Sequence, residues 1–520
     1  MILRTKILKR LFLKFLQNIE KINTSSSFLL IALWACTSSS LGMAEDILRV
    51  GVVAFPSGAA DPHRSVSVFS TYTWSPTFET LTTFTDDGEL IGELATDWKQ
   101  LEPNLWTFSL RKDAVFSNGR PFTAHDVAWS FNYLRTPHGL TAAVNRDLAV
   151  IESATAIDDH TVSIKTKIPS AVLPRLMAPL YFVEPDHWEK VGPEQFAFEP
   201  IGTGPFTISK WQEGKVTYKS NPQSWRPPII EGIEILLLPE VTTRLQALLT
   251  GRVDVAIGMG PDDSGFLQSV GGRLHQRQPI DAMSITLVIE EGRPAADIRV
   301  RRALNYAVDK DAIADVLLNG YTKPATQGAV RGLFGYDPDL KSYPYDPEKA
   351  RALLKEADYE DGFSLDVEVI TGSNASDSAI YQLVASNLAD VNVELRVMRI
   401  PTSQMVRIIL QGQWRGDGFS QIFGSWPSFE PLRTIRLHSC ANPTPWFCDE
   451  QITPTIQAAK SAISLEDRLL LTQKVLRFYH NQATTILLHE VPLLDGVTAR
   501  VANYAPNKGK INYETISLEN

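Results

Sequence analysis

Cys440 and Cys448 stand eight positions apart in a Pro-rich stretch. In an oxidising compartment that spacing suits a disulfide, which by loop entropy contributes about 2–3 kcal/mol. Two free thiols is the competing reading. Zinc fits less well, because only His438 lies close by and no second cysteine pair accompanies them. Catalytic patterns are missing: there is no Gly-x-Ser-x-Gly elbow and no His-Glu-x-x-His, so no catalytic residue is expected. Gly202-Thr203-Gly204 runs into Pro205 without the glycine and lysine of a phosphate loop, and reads as a chain reversal. His489-Glu490 precedes Val491-Pro492 and reads as buried structure. The nine histidines show no pair at helical metal-ligand spacing, so neither a metal nor a cofactor is expected. Asp86-Asp87 and Asp262-Asp263 read as solvated turns. Arg415, between Trp414 and Gly416, is either an anion-holding guanidinium or a surface arginine. Tyr72 and Trp74 are either core or the wall of a ligand cleft.

The elements that would position these residues alternate. Ile47–Val53 reads as a strand, followed by a loop from Phe55 to His63. Trp106, Phe108 and Leu110 alternate with polar neighbours, as in a half-buried strand. Asn118-Gly119 reads as a tight turn. Thr123 followed by Asp126 reads as a helix start, with Val127, Phe131 and Leu134 on one face. Ser153–Ile157 and Thr161–Lys165 read as a strand pair around Asp158-Asp159-His160. Ile233–Leu238, a helical stripe Val241/Leu245/Leu248/Leu249 ending at Gly251, and Val253–Ile257 give strand, helix, strand, which marks an α/β lobe. Val300, Leu304 and Val308 share a helical face. Ile313, Val316 and Leu317 continue it after Asp309, a helix cap. Asp346-Pro347 starts another helix lined by Ala350, Leu353, Leu354 and Ala357. Leu365–Ile370 and Val393–Ile400 are strands of a second α/β lobe.

The chain has 520 residues, too many for one core, so two or three domains are expected. Arg4, Lys6, Lys9, Arg10, Lys14 and Lys21 precede an apolar run from Phe28 to Ala35, and Gly42-Met43-Ala44 offers small residues for cleavage. This reads as a signal peptide over 1–44, cleaved near Ala44, with an organelle-targeting peptide as the rival reading. Cys36 is read as a leader cysteine that is removed, in preference to a lipid anchor. Removal of 1–44 takes away six basic residues and one acid, shifting the formal charge from −9 to −14. That balance argues against nucleic acid or an anionic membrane surface as partner.

The stretch Trp98 to Phe131, with Leu110-Arg111, Asn118-Gly119, Pro121 and Thr123-Ala124-His125-Asp126-Val127, closely resembles the family 5 solute-binding proteins of bacterial ABC importers, the oligopeptide, dipeptide and nickel binding group. Pro200–Phe206 resembles that family's Pro-x-Gly-Thr-Gly-Pro-Phe, and Leu248–Val255 its Leu-x-x-Gly-x-Val-Asp. Asp297–Asp309 resembles its Val-Arg-x-Ala-Leu-x-x-Ala-Val-Asp, and Tyr345–Ala357 its Tyr-Asp-Pro helix. Five weak motifs in the family's order make a strong resemblance.

The resemblance implies an α/β, periplasmic-binding-protein-like fold of two lobes with a hinge and an inserted domain. Lobe I would be 45–80, 199–280 and 491–520, the inserted domain 81–198, and lobe II 281–490. It further implies a periplasmic monomer that binds a peptide or small solute and docks on ABC permease subunits of the inner membrane. Peptide binders of the family hold the α-ammonium on an Asp two residues after a Trp. The matching residues here are Trp426 and Ser428, so a hydroxyl stands where the charge would be. Glu430 is the substitute if the loop is shifted; otherwise Trp426 is core and Ser428 a turn residue. The departure favours a solute without a free ammonium, such as an opine, sugar conjugate or metal chelate. On lobe I, Asp61-Pro62 resembles the family's Asp-Pro, and Tyr72 and Trp74 would reach the cleft. A hydrolase or a ligand-sensing adaptor on the same scaffold is the alternative function.

Overall fold

Leu48, Val50 and Val52 alternate along the strand Ile47–Val52 and are fully buried, so one face of it lies in the core. It pairs in parallel with Gly232–Leu237 on one side and Val255–Ile257 on the other. The computed structural model, which describes residues 46–370 and 376–519, extends this sheet to seven strands. Their order is Arg273–Arg277, Leu493–Val497, Val255–Ile257, Ile47–Val52, Gly232–Leu237, Lys215–Ser220, Phe206–Gln212. The crossover helix Val241–Leu249 ends just before Gly251, whose φ of +68° suits glycine. The leader 1–44, its cleavage position near Ala44 and Cys36 lie outside the described residues.

A second sheet has five strands in the order Val393–Ile400, Phe363–Ile370, Gly418–Gly424, Asp281–Leu287, Thr485–Glu490. A third has four antiparallel strands, Ala95–Glu102, Leu105–Leu110, Thr161–Thr166 and Ile151–Asp158. In it Phe108 lies opposite Val162, and Trp106 opposite Ile164, which puts their apolar sides on one face. The helix Ala124–Tyr133 covers that face with Val127 and Phe131. Its start is the box expected from Thr123 and Asp126: the Thr123 backbone N–H donates to Asp126 Oδ2 at 2.7 Å.

The chain passes between the two larger sheets twice, at 278–280 and 491–492. The passages lie side by side, since Ala282 pairs with Glu490 and the Val491 N–H donates to the Asp281 carbonyl at 2.8 Å. The four-stranded domain also touches the five-stranded one. Arg433 Nε donates to Asp147 Oδ1 at 2.7 Å, and the Phe84 and Phe429 rings meet edge to face at 4.7 Å.

The helix Ile298–Ala307 is capped by Asp297, and Asp309 accepts the Ala312 N–H at 2.9 Å as expected. The stripe beyond does not continue. Ile313–Leu317 winds as a π turn, and the extra residue per turn carries Val316 to 69% exposure while Ile313 stays buried. The expectation for Val316 is therefore corrected.

Cys440 and Cys448 are joined, closing a loop that places Trp446 in the core of the second lobe. Trp446 Nε1 donates to His438 Nδ1 at 3.0 Å, and His438 stacks on Phe423. Burial pushes the His438 pKa down to about 3. The unfolded chain takes up this proton first, so the neutral ring stabilises fully above pH 6.5 and its contribution is lost as pH falls toward 3. An NMR titration should show the His438 ring neutral at pH 5; a midpoint near 6.5 would place the ring in water.

Candidate functional site

The three sheet domains meet at a small cavity. Lys508 and Lys510 come to it from the segment between Tyr504 and Ile511, which packs on the seven-stranded sheet, and Thr80 from the segment just before Leu81. Phe84, Ala178 and Tyr181 come from segments beside the four-stranded one, and Trp426 and Pro427 from the loop after Gly418–Gly424. The space is about 10 Å³, room for about one water. Trp426 bridges the domains: its Nε1 donates to the Val66 carbonyl at 2.7 Å, and its ring lies against Gly509.

A buried charge network supports one wall. Arg226 pairs with Glu79 at 2.7 Å, Glu93 at 3.1 Å and Glu514 at 2.5 Å. Lys510 Nζ donates to Glu93 Oε1 at 2.5 Å, and Glu93 Oε2 accepts the Thr80 N–H and hydroxyl. Desolvation opposes the Glu93 charge, but Lys510 and Arg226 outweigh it and hold the carboxyl below its usual range. Lys508 differs: its Nζ is buried and has no hydrogen-bond partner, and burial lowers its pKa.

The family model described as bacterial extracellular solute-binding proteins, family 5 Middle, matches residues 89–432, well over half of the chain. The chain belongs to the bacterial extracellular solute-binding proteins of family 5. Among its relatives, the di/tripeptide-binding protein 2 of Pseudomonas aeruginosa (strain UCBPP-PA14) is 26% identical, over 92% of this chain and 95% of the relative. The dipeptide-binding protein of Escherichia coli (strain K12) is also 26% identical, over 83% and 86%. The structure of HbpA2 from Haemophilus parasuis superposes with a TM-score of 0.78 at 22% identity, over 91% of this chain and all of that one. The fold is thus the periplasmic-binding-protein-like one of this family, and the chain is a solute-binding protein rather than an enzyme.

Of the residues singled out in this family 5 chain, Trp426 lines the cavity. Ser428 is buried two residues on. Glu430 does not line the cavity: Arg468 Nη2 donates to its Oε2 at 2.6 Å, and its Oε1 is buried without a partner. Tyr72 does not wall the cleft: it is 2% exposed, and its hydroxyl accepts from Arg277 Nη2 at 2.7 Å in the lobe I core. Trp74 is likewise core, its Nε1 donating to the Ala59 carbonyl. Asp61 lies in a separate surface pocket of about 320 Å³ with Tyr133 and His138. The loop from Phe55 to His63 folds onto the inserted domain, where the Ala143 N–H donates to the His63 carbonyl and His63 packs on Tyr133 and Trp188. Burial pushes the Asp61 carboxyl up to about 6. Arg415 is exposed and precedes Gly418–Gly424, whereas Trp426 follows it, so the strand's seven residues, roughly 23 Å, separate them.

Gly202 and Gly204 serve a close backbone crossing: a Cβ on Gly202 would lie 2.1 Å from the Thr77 carbonyl oxygen. Asp86 departs from its reading as a solvated acid, since its Oδ1 is buried beside Lys508. The sequence reading missed Phe84, Tyr181, Lys508 and Lys510. The one local signal was Lys508-Gly509-Lys510, a basic pair in an acidic chain.

Proposed function

We propose that this chain is the extracytoplasmic receptor of an ABC importer, capturing a peptide or related small solute between two lobes and delivering it to permease subunits of the inner membrane. The observation that carries this reading is one cavity walled from three domains, with the two chain passages at 278–280 and 491–492 as its hinge. The lobes are taken as 45–80 with 199–280 and 491–520, and 281–490, with 81–198 inserted. Two relatives are named for binding di- and tripeptides or dipeptides, which supports a peptide-sized cargo. The protein acts as a monomer in the periplasm after cleavage near Ala44.

A cavity for about one water cannot hold a dipeptide, so solute enters with the lobes apart and closure follows from contacts made only in the closed state. Small-angle scattering of the exported protein should show a smaller radius of gyration when a bound dipeptide is added. One rigid shape, with no compaction by any dipeptide or by periplasmic extract, overturns the reading.

A further inference from the structure

Lys508 is 3% exposed and its ammonium has no hydrogen-bond partner, at a cavity lined from several domains. A buried unpaired charge costs several kcal/mol, so it calls for a partner. Among the described residues, the protein's own acids leave it without an ion pair. Lys510, beside it, is already neutralised by Glu93. The acids facing Lys508 are Asp86, Asp87 and Glu490, and none forms an ion pair with it. Glu490 Oε1 accepts the Arg331 backbone N–H at 3.2 Å and faces the Arg331 guanidinium at 3.5 Å. No carboxylate lines the cavity.

A second cation stands behind the wall. The Arg175 guanidinium lies 4.8 Å from the Phe84 ring centre, with Nε and Nη2 buried and unpartnered. Near the Trp426 loop, Arg468 holds Glu430 Oε2, while Glu430 Oε1 and Asp281 Oδ1 are buried without partners; neither acid lines the cavity. The cavity lining itself carries two lysines and no carboxylate, in a chain that is acidic overall.

We propose that the solute carries a carboxylate, and that Lys508 Nζ binds it while Trp426, Phe84 and Tyr181 pack on the solute's flat or apolar body. The assignment rests on the cavity being the solute site. Asp86, whose Oδ1 is also buried without a partner, is the internal rival for Lys508.

The test uses the exported protein as wild type, Lys508→Met and Asp86→Asn, with three probes: Ala-Phe, N-acetyl-Ala-Phe and Ala-Phe-amide. By calorimetry, wild type should bind a free-carboxylate probe at least tenfold tighter than the amide, and Lys508→Met should lose that discrimination. Binding of N-acetyl-Ala-Phe as tight as Ala-Phe marks a carboxylate solute that needs no ammonium; tighter Ala-Phe marks a peptide terminus. Without ligand, Lys508→Met should melt higher than wild type, because it deletes an unpaired buried charge, and Asp86→Asn should still bind. A lower melting point with discrimination intact overturns the proposal, since Lys508 would then be the structural partner of Asp86. Equal binding of the amide by wild type overturns the anion anchor and leaves the receptor reading standing. No binding of any probe overturns the proposal, while the receptor reading is decided separately by scattering with periplasmic extract.

Discussion

Gly509→Ala is expected to weaken solute capture by more than 100-fold while both lobes stay folded. Gly509 has φ of +80°, and a Cβ there would sit 2.1 Å from Trp426 Cζ3 and 2.8 Å from Cε3. No side chain tolerates that approach, and the indole cannot turn away without losing its bond to the Val66 carbonyl. Trp426 follows a strand of the five-stranded sheet and Gly509 lies in the segment packed on the seven-stranded one, so in the proposed two-lobe receptor separating the lobes relieves the clash. The methyl group thus acts against the closed state alone, and a 100-fold loss is about 2.7 kcal/mol. Left-handed backbone adds about 1–2 kcal/mol of general destabilisation. Scattering should show the variant expanded with and without dipeptide. If Gly509→Ala binds and compacts as wild type does, the Trp426–Gly509 contact is not what closure makes.

Asp495→Ala is expected to cost about 3–5 kcal/mol of stability, read as a lower urea midpoint. Arg277 Nε lies 3.0 Å from Asp495 Oδ2, and both side chains are at most 2% exposed. The Tyr504 hydroxyl donates to the same carboxylate at 2.7 Å, and Arg277 donates to the Tyr72 hydroxyl. Removing the carboxylate strands a guanidinium inside the lobe I core, and a core arginine cannot shed its proton to escape the cost. Burial opposes the Arg277 charge, but Asp495 and Tyr72 outweigh it and raise its pKa further. The double variant Arg277→Met/Asp495→Leu should recover most of the loss, because it removes both charges. An Asp495→Ala midpoint within 0.5 kcal/mol of wild type, on the order of a neutral surface change, would show the pair to be solvated.

The contrast between these two sites shows what a one-dimensional pattern carries. The caps at Thr123, Asp309 and Asp346 were legible because each bond closes within three residues. The strand pair Ile151–Asp158 and Thr161–Thr166 was legible because alternation and a short turn set its register. The order of five local motifs was enough to name the scaffold, which the family match over 89–432 agrees with.

The site was much less legible. Trp426 could be singled out, but what it touches could not: Val66 is 360 positions away in the chain. Tyr72 looked like a cleft aromatic because nothing nearby in sequence reveals Arg277, 205 positions on. Asp61 and Arg415 have the right chemistry for ligands, but the loop and the strand that carry them lead to other surfaces. Val316 left its stripe through a π turn that a 3.6-residue period does not foresee. Lys508 is the clearest case. Its type and neighbours describe a surface lysine, and only the meeting of three domains strips its water and leaves the charge unpaired. Caps, turns and strand faces depend on bonds a few residues long, and composition and spacing encode those directly. Whether a charge is solvated, paired or waiting for a ligand depends on what distant segments bring to it, and that is settled only when the lobes pack.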